Sequence, residues 1–251
     1  MIPEFLSQYK AEIENYKLET VKISATPVSQ KEIMPINQSR FLGLPYLPTD
    51  VNYPVDKKGA PMIMLAQINF AEVPHLQNYP QKGVLQLFIS STDWYDMTDY
   101  KILYHDGITI DAQINFDFLT ENLYLESPIY CEHKLKFEKV IEYGGVADFN
   151  FDLTFNGIDY YDYYETLSKE QQNEMDALFE GTGHKIGGYA YFTQSDVRDY
   201  DAAKHNDVLL LQIDTDEQIM FGDSGVANIF IHPDDLANKR FEKAYFNWDC
   251  C

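Results

Sequence analysis

The chain has 251 residues, with 40 Asp and Glu against 19 Lys and Arg and a formal net charge of −21 at pH 7. Such a surplus repels nucleic-acid phosphates and anionic lipid, which argues against direct nucleic-acid or membrane binding; it suits a basic protein partner, or serves only to keep the chain in solution. Hydrophobic residues make up 45% of it, no apolar run approaches the roughly 20 residues that span a bilayer, and the opening Met1-Ile-Pro-Glu-Phe-Leu6 lacks the regions of a secretory signal, so a folded, cytoplasmic protein is expected.

Phe5, Tyr9, Ile13 and Tyr16 recur at spacings of an amphipathic helix over residues 3 to 19, expected to pack on the first half of the molecule. Thr20-Val-Lys-Ile-Ser-Ala-Thr26 alternates and is rich in β-branched residues, which predicts a strand. Gly43 to Pro54 carries Pro45, Pro48 and Pro54 and reads as a rigid, extended loop. Met62 to Phe70 and Gly83 to Ile89 are too apolar for half-exposed strands and predict strands buried on both faces, in which Gln67 and Gln86 need partners. Residues 91 to 165 read as an acidic, β-rich insertion, with strands at Lys101 to Tyr104, Gly107 to Asp111 and Lys134 to Ile141 and a hairpin turn at Asp106-Gly107. Acidity concentrates here: residues 91 to 180 hold 20 Asp and Glu and only 5 Lys and Arg. Ser168 starts a helix with Gln171 in capping-box position and Gly181 as its stop. Asp207 to Asp214 is another buried strand, carrying Gln212. Asp234 and Asp235 after Pro233 suit the first turn of a short helix, and Phe246 and Trp248 dock the C-terminal segment.

Three blocks recur in order. Arg40-Phe-Leu-Gly43-Leu-Pro-Tyr46, Leu65-Ala-Gln67-Ile-Asn69 and Gly83-Val-Leu-Gln-Leu-Phe88 are followed later by Lys185-Ile-Gly-Gly188-Tyr-Ala-Tyr191, Leu210-Leu-Gln212-Ile-Asp214 and Gly225-Val-Ala-Asn-Ile-Phe230. The first two pairs share an offset of 145 residues and the third differs from it by three. An internal duplication follows. The expected fold is a single α+β domain over 1–251, mostly antiparallel β about a pseudo-twofold axis, with an N-terminal helix and a few short helices. Its parts are repeat one at about 40–90, the insertion at about 91–165, a linking helix at about 168–181 and repeat two at about 185–232.

Signals for chemistry are weak. Gly222-Asp223-Ser224-Gly225 matches the surroundings of a serine-protease nucleophile, but its upstream histidine context is missing, and a tight turn is the simpler reading. Asp214-Thr-Asp216-Glu217 lacks the glycine and terminal glutamate of a calcium loop, and Gly181-Thr-Gly183-His-Lys185 follows a helix where a phosphate loop precedes one. The histidines at 75, 105, 133, 184, 205 and 232 form no i, i+4 pair, and Cys131, Cys250 and Cys251 make neither a disulfide framework nor a zinc tetrad. No metal or cofactor is expected, and no catalytic residue is assigned.

Gly43-Leu-Pro-Tyr-Leu-Pro48, Leu65-Ala-Gln-Ile68, Gly83 to Phe88, Ile186-Gly-Gly-Tyr189, Leu209 to Asp214 and Phe221-Gly-Asp-Ser-Gly225 together resemble the YwqG-like family of uncharacterised bacterial proteins. Tyr53-Pro54 and Phe221-Gly222-Asp223 depart from that family's Trp-Pro and Trp-Gly-Asp but keep an aromatic. The resemblance implies no activity or cofactor; relatives are associated with toxin and immunity loci, which implies an immunity-like or regulatory role. Two functions are therefore expected as alternatives. One is a non-enzymatic interaction protein using its acidic surface and Tyr160, Tyr161, Tyr163 and Tyr164 against a basic partner. The other is an enzyme or small-ligand binder in a groove between the repeats, lined by the Gly43 to Pro54 and Gly188 to Asp196 loops. Across both, the candidate binding residues are these tyrosines with Tyr46, Tyr53, Gln67, Tyr191, Gln194, Gln212 and Asp223.

Overall fold

Alternation sets the centre of the fold. In β1 (Leu18–Pro27), Val21 and Ile23 are buried while Lys22 and Ser24 face solvent, the period-two arrangement that a pleated strand with one core face requires. β1 pairs antiparallel along its length with β6 (His133–Glu142), from Leu18 opposite Glu142 to Pro27 opposite His133. From β6 the sheet continues through β2 (Arg40–Phe41), β3 (Ile63–Asn69), β4 (Val84–Ile89) and β5 (Tyr100–His105). From β1 it continues through β7 (Lys185–Gly187), β8 (Val208–Ile213), β9 (Val226–Ile231) and β10 (Tyr245–Asp249). The computed structural model describes residues 2–29 and 32–250, so Cys251 lies outside the described residues.

The ten strands form one mostly antiparallel, barrel-like sheet that nearly closes. Its two end strands meet through side chains: Tyr100 of β5 lies 5.9 Å from Phe246 of β10, and Trp248 N–H points at Met97 Sδ at 3.4 Å. The main core draws on strands from both flanks, including Val21, Phe41, Leu87, Leu211, Ile229 and Phe246. β3 and β4 are buried on both faces because a second layer covers the outside, where Met62, Met64 and Phe88 pack with Tyr53. β8 and β9 are covered likewise by Ala190 and Phe192 against Leu209 and Phe230. Registers on the two flanks correspond. Arg40 faces Gln67 and Lys185 faces Gln212; Gln67 faces Gln86 and Gln212 faces Asn228. Irregularities fall between Met64 and Ala66 and between Leu209 and Leu211.

The N-terminal helix is shorter than its periodicity predicts, a 3-10 turn at Glu4–Tyr9 running into α1 (Lys10–Glu14), because the chain must enter β1 at Leu18. It also packs elsewhere than expected. Leu6, Tyr9 and Ile13 join Leu153, Phe155, Met175 and Phe179 in a second core, outside the sheet, with α2 (Tyr160–Glu165) and α3 (Lys169–Phe179). α3 starts with the predicted capping box of Ser168 and Gln171. Residues 91 to 165 are not a separate β unit: Tyr100–His105 pairs residue for residue with β4, whose edge would otherwise be open, and β6 lies at the sheet's centre. Asp106-Gly107 makes no hairpin. The following Thr109 N–H donates to the Tyr46 hydroxyl instead of to a strand, and Ile108 and Ile110 stay exposed. α4 (Pro233–Ala237) begins at Pro233 with Asp234 and Asp235 in its first turn.

Candidate functional site

The amide of Gln67 is fully used within the protein. Oε1 accepts from Tyr46 N at 2.7 Å and from Gln86 Nε2 at 2.8 Å, while Nε2 donates to Ile36 O at 2.8 Å and Gln38 O at 2.9 Å. Gln212 accepts from Tyr191 N at 2.8 Å and donates to Gly181 O at 3.1 Å and Gly183 O at 2.8 Å. Gln86 and Asn228 add donors to the carbonyls of Tyr46 and Tyr191, at 2.6 and 2.9 Å. Each amide thus clips the loop after Gly43 or Gly188 onto the outside of the sheet, meeting backbone groups that an apolar side chain would strand. These bonds commit both glutamine amides to holding loops in place.

The other expected site residues are dispersed. Tyr46 is fully buried, its hydroxyl accepting from Thr109 N at 2.7 Å. Tyr53 donates to Met62 O at 2.9 Å and sits among Phe88, Phe116 and Phe118. Tyr191 is half-buried, and Gln194 anchors the C-terminal strand through Asp249 Oδ2 and Cys250 O at 2.7 and 2.5 Å. Asp223 is exposed in a turn that Gly225 N closes onto Phe221 O at 2.9 Å, with Gly222 and Ser224 both at positive φ. Three of the four clustered tyrosines are committed to the second core: Tyr163 stacks on Phe155 at 4.2 Å, Tyr160 lies edge-on to Phe179 at 5.9 Å, and Tyr164 donates to Asp176 Oδ2 at 3.0 Å. Only Tyr161 of the four is well exposed, at 64%.

Sequence reasoning missed the buried charges. Arg40 pairs with Glu132 at 2.5 Å, Lys185 with Glu142 at 2.8 Å, and Arg198 with Asp196 and Asp148 at 2.6 and 2.7 Å. Burial pushes the Lys185 ammonium below the ordinary lysine range, and the Glu142 carboxylate works against that shift. The one usable signal was Lys185 standing at the Arg40 position of the recurring block.

Two adjoining hollows of about 360 and 280 Å³ form a groove over Leu18, Gly188 and Val208. One wall is Leu76 to Tyr79, with the Tyr79 hydroxyl on Leu209 O at 2.5 Å, where the sequence pointed to the Gly43 to Pro54 loop. Arg198 and Asp148 line its second part, but Arg198 is shared between Asp148 and Asp196 and its Nη1 is spent on Asp207 O at 2.9 Å. Arg198 is therefore committed within the protein.

The outer surface is different. Residues 102–133 hold six carboxylates and no Lys or Arg, and residues 143–180 hold nine carboxylates and one Lys. Asp111, Asp117, Glu121 and Glu126 are exposed in the first stretch, and Asp152, Asp159, Asp162, Glu165, Glu170 and Glu174 in the second. The Asp159 charge pushes the Asp162 carboxyl up, while the Asp162 backbone N–H holds Asp159 down. Like charges crowded this closely favour an added cation. Among the described residues, no group of three or more His, Cys, Asp and Glu is placed to hold a metal ion, and no helix is long and apolar enough to cross a membrane.

A family model described as Domain of unknown function (DUF1963) matches residues 39–250, which takes in β2 to β10. No curated protein matches the chain.

Proposed function

We propose that this chain, which belongs to the family described as Domain of unknown function (DUF1963), is a non-enzymatic binding protein that takes a basic protein partner on its acidic outer surface. The observation that carries this reading is the split between inside and outside. Buried Arg40, Lys185 and Arg198 are neutralised by carboxylates within the fold, while in residues 102–133 Asp111, Asp117, Glu121 and Glu126 stay exposed outside the ion pairs that Asp106 makes with Lys82 and Lys239 and Glu132 makes with Arg40. An unneutralised field of that kind speeds encounter with a cationic surface. The reading also takes the chain to be a bacterial, cytoplasmic protein of the YwqG-like kind, which the Gly43 to Pro48 and Phe221 to Gly225 motifs support. It also treats the chain as an internal duplication, supported by the matched amide clips of Gln67 and Gln212 and the matched registers of Arg40 and Lys185.

The test is capture by the immobilised chain from a bacterial lysate at physiological and at about 0.5 M salt. Two variants are compared with the parent: Asp159→Asn with Asp162→Asn and Glu165→Gln, and Asp111→Asn with Asp117→Asn and Glu121→Gln. Captured proteins should be basic, released by salt, and reduced in at least one variant. Identical recovery at both salt levels and in all three proteins, or none, removes the reading.

A further inference from the structure

The cation-free stretch of the acidic surface ends at an aromatic cleft. Ile129 bridges to Ile219, Tyr130 N donates to Gln218 O at 2.9 Å and Met220 N to Pro128 O at 2.8 Å, which sets Leu125 to Tyr130 beside the turn at Phe221–Gly225. Opposite stands the Trp94–Tyr95 pair, stacked with ring centroids 4.0 Å apart and backed by Trp248 at 4.9 Å from Trp94. Between them is a cleft of about 410 Å³. Gly222 forms part of its wall at φ +63°, where a Cβ would come within 2.5 Å of Cys250 Sγ, so the Gly-Asp-Ser-Gly turn has a structural task here. Tyr95, Tyr130 and Leu125 are exposed at 57%, 59% and 78% and adjoin one another along this one cleft, and Glu126 stands among them with its carboxylate in solvent.

We propose that this cleft receives a lysine or arginine side chain, with an apolar neighbour, from the basic partner; the proposal rests on the basic-partner reading above. The chemistry is complementary in each part. Tyrosine and tryptophan faces attract a cation within about 6 Å of the ring, the aliphatic stem of Lys or Arg covers the exposed Leu125 and Tyr95, and Glu126 meets the charged head. Among the described residues Glu126 makes no ion pair; the cations that reach this stretch, Lys82, Lys239 and Arg40, are engaged by Asp106 and Glu132.

Both tryptophans of the chain, Trp94 and Trp248, stand at the cleft, so their fluorescence reports occupancy without a label. The probe is a short amidated peptide alternating lysine and leucine, titrated into the full chain at physiological salt, with a twin in which norleucine replaces lysine. The lysine peptide should change the tryptophan emission, and its affinity should fall about tenfold or more in Tyr95→Ala with Glu126→Gln, two exposed positions outside the buried core; because Tyr95 stacks on Trp94, an unchanged urea midpoint is the control for folding. In Asp159→Asn with Asp162→Asn and Glu165→Gln it should change less than about threefold. Equal binding of the norleucine twin, or parent-like affinity in the Tyr95 and Glu126 variant, overturns the cleft. In the second case, weakened binding by the Asp159 variant would leave the basic-partner reading standing. No binding of the lysine peptide by the parent overturns both.

Discussion

Replacing Gln67 by leucine removes four hydrogen bonds at once: those from Tyr46 N and Gln86 Nε2, and those to Ile36 O and Gln38 O. Gln86 keeps its bond to Tyr46 O, and a carbonyl retains a second lone pair, so the most costly loss is the Tyr46 N–H in a fully buried residue. A stranded buried group costs about 1–3 kcal/mol, and several are affected, while burying leucine returns about 1.5–3 kcal/mol. The net expected loss is about 1–3 kcal/mol, despite a more apolar core. Gln212→Leu strands Tyr191 N and two carbonyls and should lose a similar amount. Urea unfolding at neutral pH, with equal slopes for all three proteins, measures this as a lower midpoint. Midpoints at or above the parent's for both variants would refute the reasoning that these amides are retained for the loops they clip.

Two further outcomes concern the fold. Gly188→Ala should destabilise by about 2 kcal/mol or more, because φ is +75° and the new Cβ would lie 2.2 Å from Glu142 Oε2, disturbing the buried pair with Lys185. Gly157→Ala, at φ +82° with open space around it, should cost about 1 kcal/mol by thermal melting. Burial holds His105, His133 and His184 below the ordinary histidine value of 6.5, with Asp216 opposing the shift at the last two. Their folded pKa values lie below the unfolded one, so the unfolded chain takes up protons first. Stability should therefore fall as pH drops below about 6.5, and His133→Gln should make that fall shallower in urea midpoints compared at neutral and mildly acidic pH.

The buried strands, the α3 capping box and the amide positions were legible because each rests on local pattern: apolar runs carrying a lone glutamine, and Ser168 followed by Gln171. The place of β5 was not. Its alternation identifies a strand, but nothing local says that it completes β4 and not a separate unit. The Tyr160 to Tyr164 cluster was ambiguous for a related reason, since tyrosine suits a core and an interface equally, and only the fold shows that Tyr163 packs on Phe155 while Tyr161 stays exposed. The cleft was beyond reach because Tyr130 and Gly222 are brought together by the Ile129–Ile219 bridge and Trp94 joins them through Phe221 and Trp248, across separations that no motif spans. Arg198, held by Asp148 and Asp196, was equally hidden, as ion pairs of that kind carry no periodicity.

The central claim is that acidic charge steers a cationic partner, and its most direct measurement is the rate of association of the dye-labelled lysine–leucine peptide with the full chain as salt rises. The account predicts that association slows several-fold between physiological and about 0.5 M salt, as the Debye length shrinks from about 8 Å, while dissociation changes much less. Association and dissociation rates that are both insensitive to salt would contradict it.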